Sequence, residues 1–372
     1  MNRSVAVIGG SLTGLAASIL LRRAGWHADV YERSAERLSD RGAGIVMQPE
    51  TLELLRLCGA KSNEEVGVML HTRQYLAEDG AVLSSQRMPQ LMTSWGLLYS
   101  WLRQSFPDEH YHLGRACERV VQNGSAVTAE FTDGTEASAD LLVAADGFRS
   151  TVRGFFLPEV TPTYAGYVAW RGVVAESEVA EEVLNVFTDS FTFFQMAGSH
   201  CLCYLIPGED GSTSKGHRRL NWVWYWNVAE ADLPKLLTDA NGKRRAYAIP
   251  PGSIHPDEER KQREIADRLL PQTFRSLLQA TREPFVQAIM DLGCPQLVFD
   301  RVVLCGDASF VVRPHTAAST SKGVGNAFAL ALELTDNSRD FAGALQNWER
   351  AELHRGRQLL SHGQGLGRSQ SR

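Results

Sequence analysis

Three short motifs carry the chemistry of this chain, and each follows an apolar run. Gly9-Gly10-Ser11-Leu12-Thr13-Gly14 comes after Val5-Ala6-Val7-Ile8, Ala145-Asp146-Gly147 after Leu141-Leu142-Val143-Ala144, and Gly306-Asp307 after Val302-Val303-Leu304-Cys305. The runs read as buried strands. Each motif therefore falls at the carboxyl end of a strand, where open α/β sheets place their ligands. In the first motif, a strand turning tightly into a helix offers unpaired amides and the positive end of the helix dipole to a pyrophosphate. Gly9 permits the turn, and Gly14 lets the helix pack closely on the strand. Ser11 stands where a second glycine is usual, and its small side chain still admits a phosphate.

The elements needed to position that turn follow directly. Ala16, Ala17, Ile19, Leu20 and Leu21 continue a helical pattern that Gly25 stops. The next strand, Ala28-Asp29-Val30-Tyr31, ends at Glu32, close to the roughly 20-residue offset of a ribose-binding carboxylate. A carboxylate there bonds both ribose hydroxyls and repels a 2′-phosphate, which favours FAD or NAD over NADP. Arg33 either holds such a phosphate or stacks on adenine and faces solvent; the second reading is preferred. A simple dehydrogenase completes its cofactor site within the first dinucleotide-binding half. Here strand-end aspartates return at 146 and 307, so a long ligand is held along its length, and FAD is the better fit.

This set resembles the aromatic-ring flavoprotein monooxygenases, the para-hydroxybenzoate and salicylate hydroxylase type, along essentially the whole chain. Within that family, the strings Arg41 to Glu50, Pro162 to Gly172, Trp224 to Val228 and Arg313-Pro314-His315 are similar to the 2,6-dihydroxypyridine hydroxylases. The resemblance implies that Gly9 to Gly14 hold the FAD pyrophosphate, Asp146-Gly147 close the cofactor site and Asp307 bonds the ribityl chain. Gln48, Cys117 and the loop residues Pro314, Thr316, Ala317, Ala318 and Ser319 join the implied cofactor-binding set. Departures from the family are local. Ala308-Ser309-Phe310 replaces A-A-H, Ser319 replaces a glycine, and Asn326-Ala327 replaces D-A. Tyr99 occupies the slot of the family's helix arginine, with Arg103 one turn on. Arg103 is either a phosphate-binding cation or part of a solvated helix face.

Composition fits a globular enzyme. The chain has 372 residues, 44% hydrophobic and 22% charged, with a net charge of −5, which gives no reason to expect nucleic acid as a partner. No apolar run approaches the roughly 20 residues of a membrane span, and because the start leads straight into the first strand, no signal peptide is expected. Cys58, Cys117, Cys201, Cys203, Cys294 and Cys305 show neither metal spacing nor a disulfide framework. A cytoplasmic protein without a metal is expected. Association into a homodimer is left open.

The expected fold class is α/β: a Rossmann-like FAD-binding domain with an interleaved mixed β-sheet substrate domain and C-terminal helices. The FAD-binding domain is assigned to residues 1–158 plus 284–372, and the sheet-rich substrate domain to 159–283. Strands are expected at Thr163 to Val174, Phe191 to Met196, Cys201 to Ile206 and Leu220 to Val228, and Gly363 to Arg372 is expected to be a loose tail. Gly323-Val324-Gly325 reads as a helix entry.

Along Leu220 to Asn227, alternation puts Trp222, Trp224 and Trp226 on one face and Asn221, Val223, Tyr225 and Asn227 on the other. Phe193, Tyr204 and Tyr225 are candidate pocket residues, and His315 joins them because it sits in the loop that faces the flavin. His200, His217 and His255 are candidate bases only in the sense that histidine as a residue type titrates near neutrality, and surface or loop positions are the expected reading. The resemblance implies that NADH, or NADPH, reduces FAD and that O2 then forms a flavin 4a-hydroperoxide, which hydroxylates a small electron-rich aromatic ring, a hydroxypyridine or phenol. Same-fold alternatives are an epoxidase, a decarboxylating or ring-expanding monooxygenase, or a non-catalytic aromatic-binding flavoprotein. On this reading, Asp307→Ala lowers FAD retention, measured by flavin absorbance of the purified variant, much more than it lowers folding stability.

Overall fold

The computed structural model describes residues 3–36, Leu38, 44–336 and 338–368. Arg41 to Ala43 of the quoted string and residues 369–372 of the tail lie outside the described residues. The three motif strands are neighbours in a six-stranded sheet, ordered Val298–Phe299, Val302–Leu304, Leu141–Ala144, Ser4–Ile8, His27–Glu32, Tyr111–Leu113. All pairs are parallel except the outer hairpin. Their register places Ile8 beside Ala144 and Ala144 beside Leu304. The strands therefore end level, and the three motifs leave the sheet side by side. Apart from Ser4, the motif strands are apolar and buried because both faces are covered. They share a core with helices Leu12–Arg23 and Ser319–Thr335 and with the meander Cys117–Gln122, Val127–Phe131, Glu136–Ala139.

A ten-stranded sheet forms the second layer. Its centre is the expected set, Thr163–Ala175, Arg219–Asn227, Ser199–Ile206 and Ser190–Met196. It reaches beyond residues 159–283, recruiting Val68–Leu76, Val82–Ser94, Gly44–Val46 and Phe285–Gly293. The sequence hid this because the first eight residues of Val82–Ser94 are exposed on both faces, so no apolar alternation marks the strand. The alternation along Leu220 to Asn227 does appear as read. Trp222 and Trp224 are buried in a core with helices Pro256–Leu269 and Gln272–Ala280, and their indole N–H groups donate to Thr281 Oγ1 and Ser199 Oγ, each at 2.8 Å. Val223 and Tyr225 face a cavity on the other side.

The glycines expected at a helix entry instead lie inside helix Ser319–Thr335. A Cβ on Gly323 would collide with the Thr13 side chain, and one on Gly306 would approach Thr13 Oγ1 to 2.6 Å. Thr13 is thus wedged between two backbones. The expected loose tail is also corrected as far as it is described, because helix Phe341–Arg368 runs through it. Gly363 packs against Thr316 and Arg313, and Gln364 Nε2 donates to Asp291 Oδ2 at 3.2 Å. Among the described residues, no helix is long and apolar enough to cross a membrane.

Alanine normally stabilises a helix interior by about 1 kcal/mol over glycine. Gly323→Ala should nevertheless destabilise this protein, because overpacking costs about 1–3 kcal/mol. Urea denaturation checks this, and adding Thr13→Ala should recover most of the loss; purely additive costs would rule out the wedge.

Candidate functional site

Two cavities meet along the line where the motif strands end. The smaller, about 270 Å³, is lined by Gly9, Ser11, Glu32, Arg33, Cys117, Asp146 and Gly147 among others. The larger, about 620 Å³, runs between the two sheets and is lined by Asp307, Pro314, Ala317 and Ser319 at one end and by aromatic side chains at the other. Trp95 and Phe148 line both cavities. One long trough therefore connects Glu32 to His315.

The small end is built to receive an anion and a diol. Helix Leu12–Arg23 starts at Ser11, whose side chain makes no capping bond, and its first turn holds no acidic residue. Its amides are left for an outside acceptor. Glu32 is buried; its Oε2 accepts from Gly10 N at 2.8 Å and its Oε1 from Ser34 N at 2.9 Å, which leaves lone pairs on both oxygens for hydroxyls. Asp146 Oδ2 accepts from Val152 N at 3.2 Å, while its buried Oδ1 has no partner. Burial raises the Asp146 pKa, against hydrogen bonds from its own turn that lower it. Burial also pushes the Cys117 thiol up to about 12, so it stays protonated. Gly10, Leu12, Thr13 and Gly14 do not line the trough. Gly14 has no room for a side chain against Gly9 O.

At the middle of the trough, Asp307 Oδ1 accepts from Lys322 Nζ at 2.9 Å, and Ser319 Oγ lies 3.5 Å away. Lys322 is almost fully buried and also donates to Phe310 O. Asn326, which replaces the family aspartate, accepts from Gly306 N at 2.9 Å and donates to the buried Glu352. It fixes the Gly306-Asp307 turn from below. Thr316 and Ala318 do not line the cavity; Thr316 Oγ1 donates to Arg313 O and accepts from Ala318 N, shaping the loop. Ala317 takes the left-handed conformation, φ 51°.

Two expected cofactor residues lie elsewhere. Arg103 points behind the glycine turn: it donates to Phe106 O, pairs with Asp108 and lies 4.2 Å from the Tyr111 ring centroid. Tyr111 in turn donates to Gly10 O at 2.8 Å. The nearby carboxylate of Asp108 captures the guanidinium that the helix position alone would leave free. Gln48 precedes helix Pro49–Leu57 and lines neither cavity.

Phe193, Tyr204, Tyr225 and His315 all line the large cavity. His200 is a correction: it is buried on strand Ser199–Ile206, with its ring 4.7 Å from Tyr225 and 5.3 Å from His315. A strand position facing the cavity, rather than a loop, decides its burial. His217 is exposed, and His255 accepts from Asp257 N at a helix start. His315 Nε2 lies 2.8 Å from Tyr167 OH, and behind Tyr167 the Arg313 guanidinium is held by Asp291 at 2.8–3.2 Å. Burial first, then the neighbouring His200, Arg313 and Arg171, lower the His315 pKa to about 3.

Sequence reasoning missed Arg171. It lines the cavity, its Nε is buried without a partner, and among the described residues it makes no ion pair. Its signal was present, as the one charge in the apolar strand Thr163–Ala175.

Residues 164–291 match the family described as FAD binding domain-like. Over 96% of its length the chain is 38% identical to 2,6-dihydroxypyridine 3-monooxygenase of Paenarthrobacter nicotinovorans, covering 89% of that protein. The chain belongs to the FAD-dependent aromatic monooxygenases. The structure of 2,6-dihydroxypyridine-3-hydroxylase from Arthrobacter nicotinovorans superimposes with a TM-score of 0.91, covering 97% of this chain and 91% of that one. The 6-hydroxynicotinate 3-monooxygenase of Pseudomonas fluorescens is 27% identical, with 96% of this chain and 90% of that protein covered. FAD is the cofactor of this monooxygenase, and the trough suits it. The unpartnered Asp146 Oδ1 and the uncapped helix start are what an extended dinucleotide would satisfy.

Two outcomes follow for this monooxygenase. Asp307→Ala would strand a buried lysine, so stability should fall along with FAD retention, contrary to the expectation from sequence. Asp307→Asn keeps the shape and separates the two effects by flavin absorbance and urea denaturation. For His315, the unfolded chain binds a proton below about pH 6.5 that the folded chain refuses until about pH 3. Stability should therefore fall by roughly 1 kcal/mol per pH unit as pH drops through that window. In His315→Asn the slope should be shallower.

Proposed function

We propose that this monooxygenase hydroxylates a small pyridine ring that carries an ionised hydroxyl, with 2,6-dihydroxypyridine the first candidate, using NADH or NADPH and O2. Arg171 carries the reading: among the described residues it makes no ion pair, and it lines the cavity beside Tyr204, Tyr225 and Phe193, with Arg73 a second cation held over Phe191 and Phe193. An unpaired charge there is costly until an anion arrives. The identity to a 2,6-dihydroxypyridine 3-monooxygenase supports the ring.

When bound, FAD would relay the electron pair of NADH or NADPH to O2 and so supply the activated oxygen. The chain's own residues do the rest. Ser11, Glu32, Asp146 and Asp307 hold the cofactor along the trough, with Lys322 keeping Asp307 in place. Phe191, Phe193, Tyr204 and Tyr225 wall the ring cavity and exclude water. Arg171 binds the ring as its anion, which makes the ring carbons electron-rich without a protein base to remove the proton. His315 Nε2 lies 2.8 Å from Tyr167 OH, and burial with the neighbouring His200, Arg313 and Arg171 holds its pKa down to about 3. His315 is thereby a neutral imidazole and adds no further cation to the cavity.

NADH oxidation under air by the FAD-loaded protein should be strongly stimulated by 2,6-dihydroxypyridine, with a product heavier by one oxygen atom. Arg171→Met should raise KM about tenfold to hundredfold. Absence of stimulation by hydroxylated pyridines, or an unchanged KM in the variant, would overturn the reading.

A further inference from the structure

The outer part of the six-stranded sheet gathers three imidazoles around one carboxylate. His27 and Asp29 are two apart on strand His27–Glu32, while His110 ends the short helix Asp108–His110 and His112 lies in the neighbouring strand Tyr111–Leu113. The period of two on a strand sends His27 and Asp29 to one face. The parallel register, with Tyr31 beside His112, sets the two segments next to each other. Asp29 Oδ2 is 3.2 Å from His27 Nε2, and Oδ1 is 3.2 Å from His110 Nδ1 and 2.8 Å from His112 Nε2. The donor atoms of His27, Asp29 and His110 all lie within 4.8 Å of one another.

We propose that His27, Asp29 and His110 form a binding site for one divalent cation of the zinc class, with His112 orienting the carboxylate. In a tetrahedral zinc site with bonds of about 2.0–2.1 Å, neighbouring ligand atoms stand roughly 3.3 Å apart. Each ligand imidazole already stands at about that spacing from one Asp29 oxygen, His27 Nε2 from Oδ2 and His110 Nδ1 from Oδ1, both at 3.2 Å. The nitrogen-rich donor set selects zinc, nickel or copper over magnesium or calcium, which prefer all-oxygen shells. Three protein ligands leave a fourth position for water. His112 donates to the carboxylate, and its ring stacks on Tyr31 at 4.9 Å, which holds it in place. The His27 side chain is 51% exposed, so an ion has a path in from solvent.

The site is separate from the trough, since none of the four residues lines either cavity. Both strands nevertheless lead to the glycine turn: Glu32 accepts from Gly10 N, and Tyr111 donates to Gly10 O. A cation bridging the two strands would pin the edge strand to its neighbour and stiffen the turn that they hold. Binding to the folded state alone raises stability by mass action.

Equilibrium dialysis of the chelator-treated, FAD-loaded protein against micromolar zinc chloride should give one zinc per chain, and zinc should raise the melting midpoint while magnesium should not. The double change His27→Ala, His110→Ala should remove that zinc and abolish the midpoint shift. His112→Ala should weaken binding about tenfold or more. FAD content and circular dichroism check that the variants fold. Asp29→Asn provides a second route that keeps the shape of the side chain. No zinc uptake by the wild-type protein, or full uptake by the folded double variant, would overturn the proposal.

Discussion

Thr13 fills the space between Gly306 and Gly323, and the geometry of the trough is set from that contact. It fixes how far the dinucleotide turn stands from the Gly306-Asp307 turn and from the helix that carries Lys322. Any side chain at either glycine would push these apart. Gly14 against Gly9 O applies the same constraint within the first motif. The level strand ends bring the motifs side by side, and close backbone packing then holds them in register. Interiors packed to crystal-like density do not yield gradually. A ligand that touches all three motifs therefore meets a preformed surface.

What was legible in the sequence is what the backbone itself demands. Gly9, with φ 103°, and the apolar strands before each motif can be read from one chain because few other residues meet those requirements. The faces of Leu220 to Asn227 followed from alternation alone. Residues whose role depends on a distant partner were not legible. Arg103 and Lys322 are both helix cations, yet Asp108 turns the first behind the glycine turn, while Asp307 and Phe310 O draw the second to the trough. His200 looked like a loop histidine until its strand placed it against Tyr225. Strand Val82–Ser94 joined the large sheet without an apolar pattern because half of it faces water.

Charge is distributed along the trough in a definite order. Glu32 and Asp146 lie at one end with Arg33, Arg115 and Arg149, the Asp307–Lys322 pair in the middle, and Arg171 and Arg73 at the other end with a neutral His315. Arg313 adds no net charge because Asp291 holds it. The aromatic end therefore presents two cations that make no ion pair among the described residues, Arg171 and Arg73, the second held over the Phe191 and Phe193 rings, within a low-dielectric wall where charge selects strongly among ligands of similar shape. Tyr204 and Tyr225 keep their protons through burial, even with Arg171 nearby, so they do not compete to neutralise it.

The chain behind His315 ends on helix Phe341–Arg368, where Gln364 bonds Asp291 and Gly367 leaves room for Arg313 against Tyr167. In order of synthesis, these residues follow every strand of both sheets. The strands that frame the ring cavity are therefore complete in the chain before the residues of that wall are added.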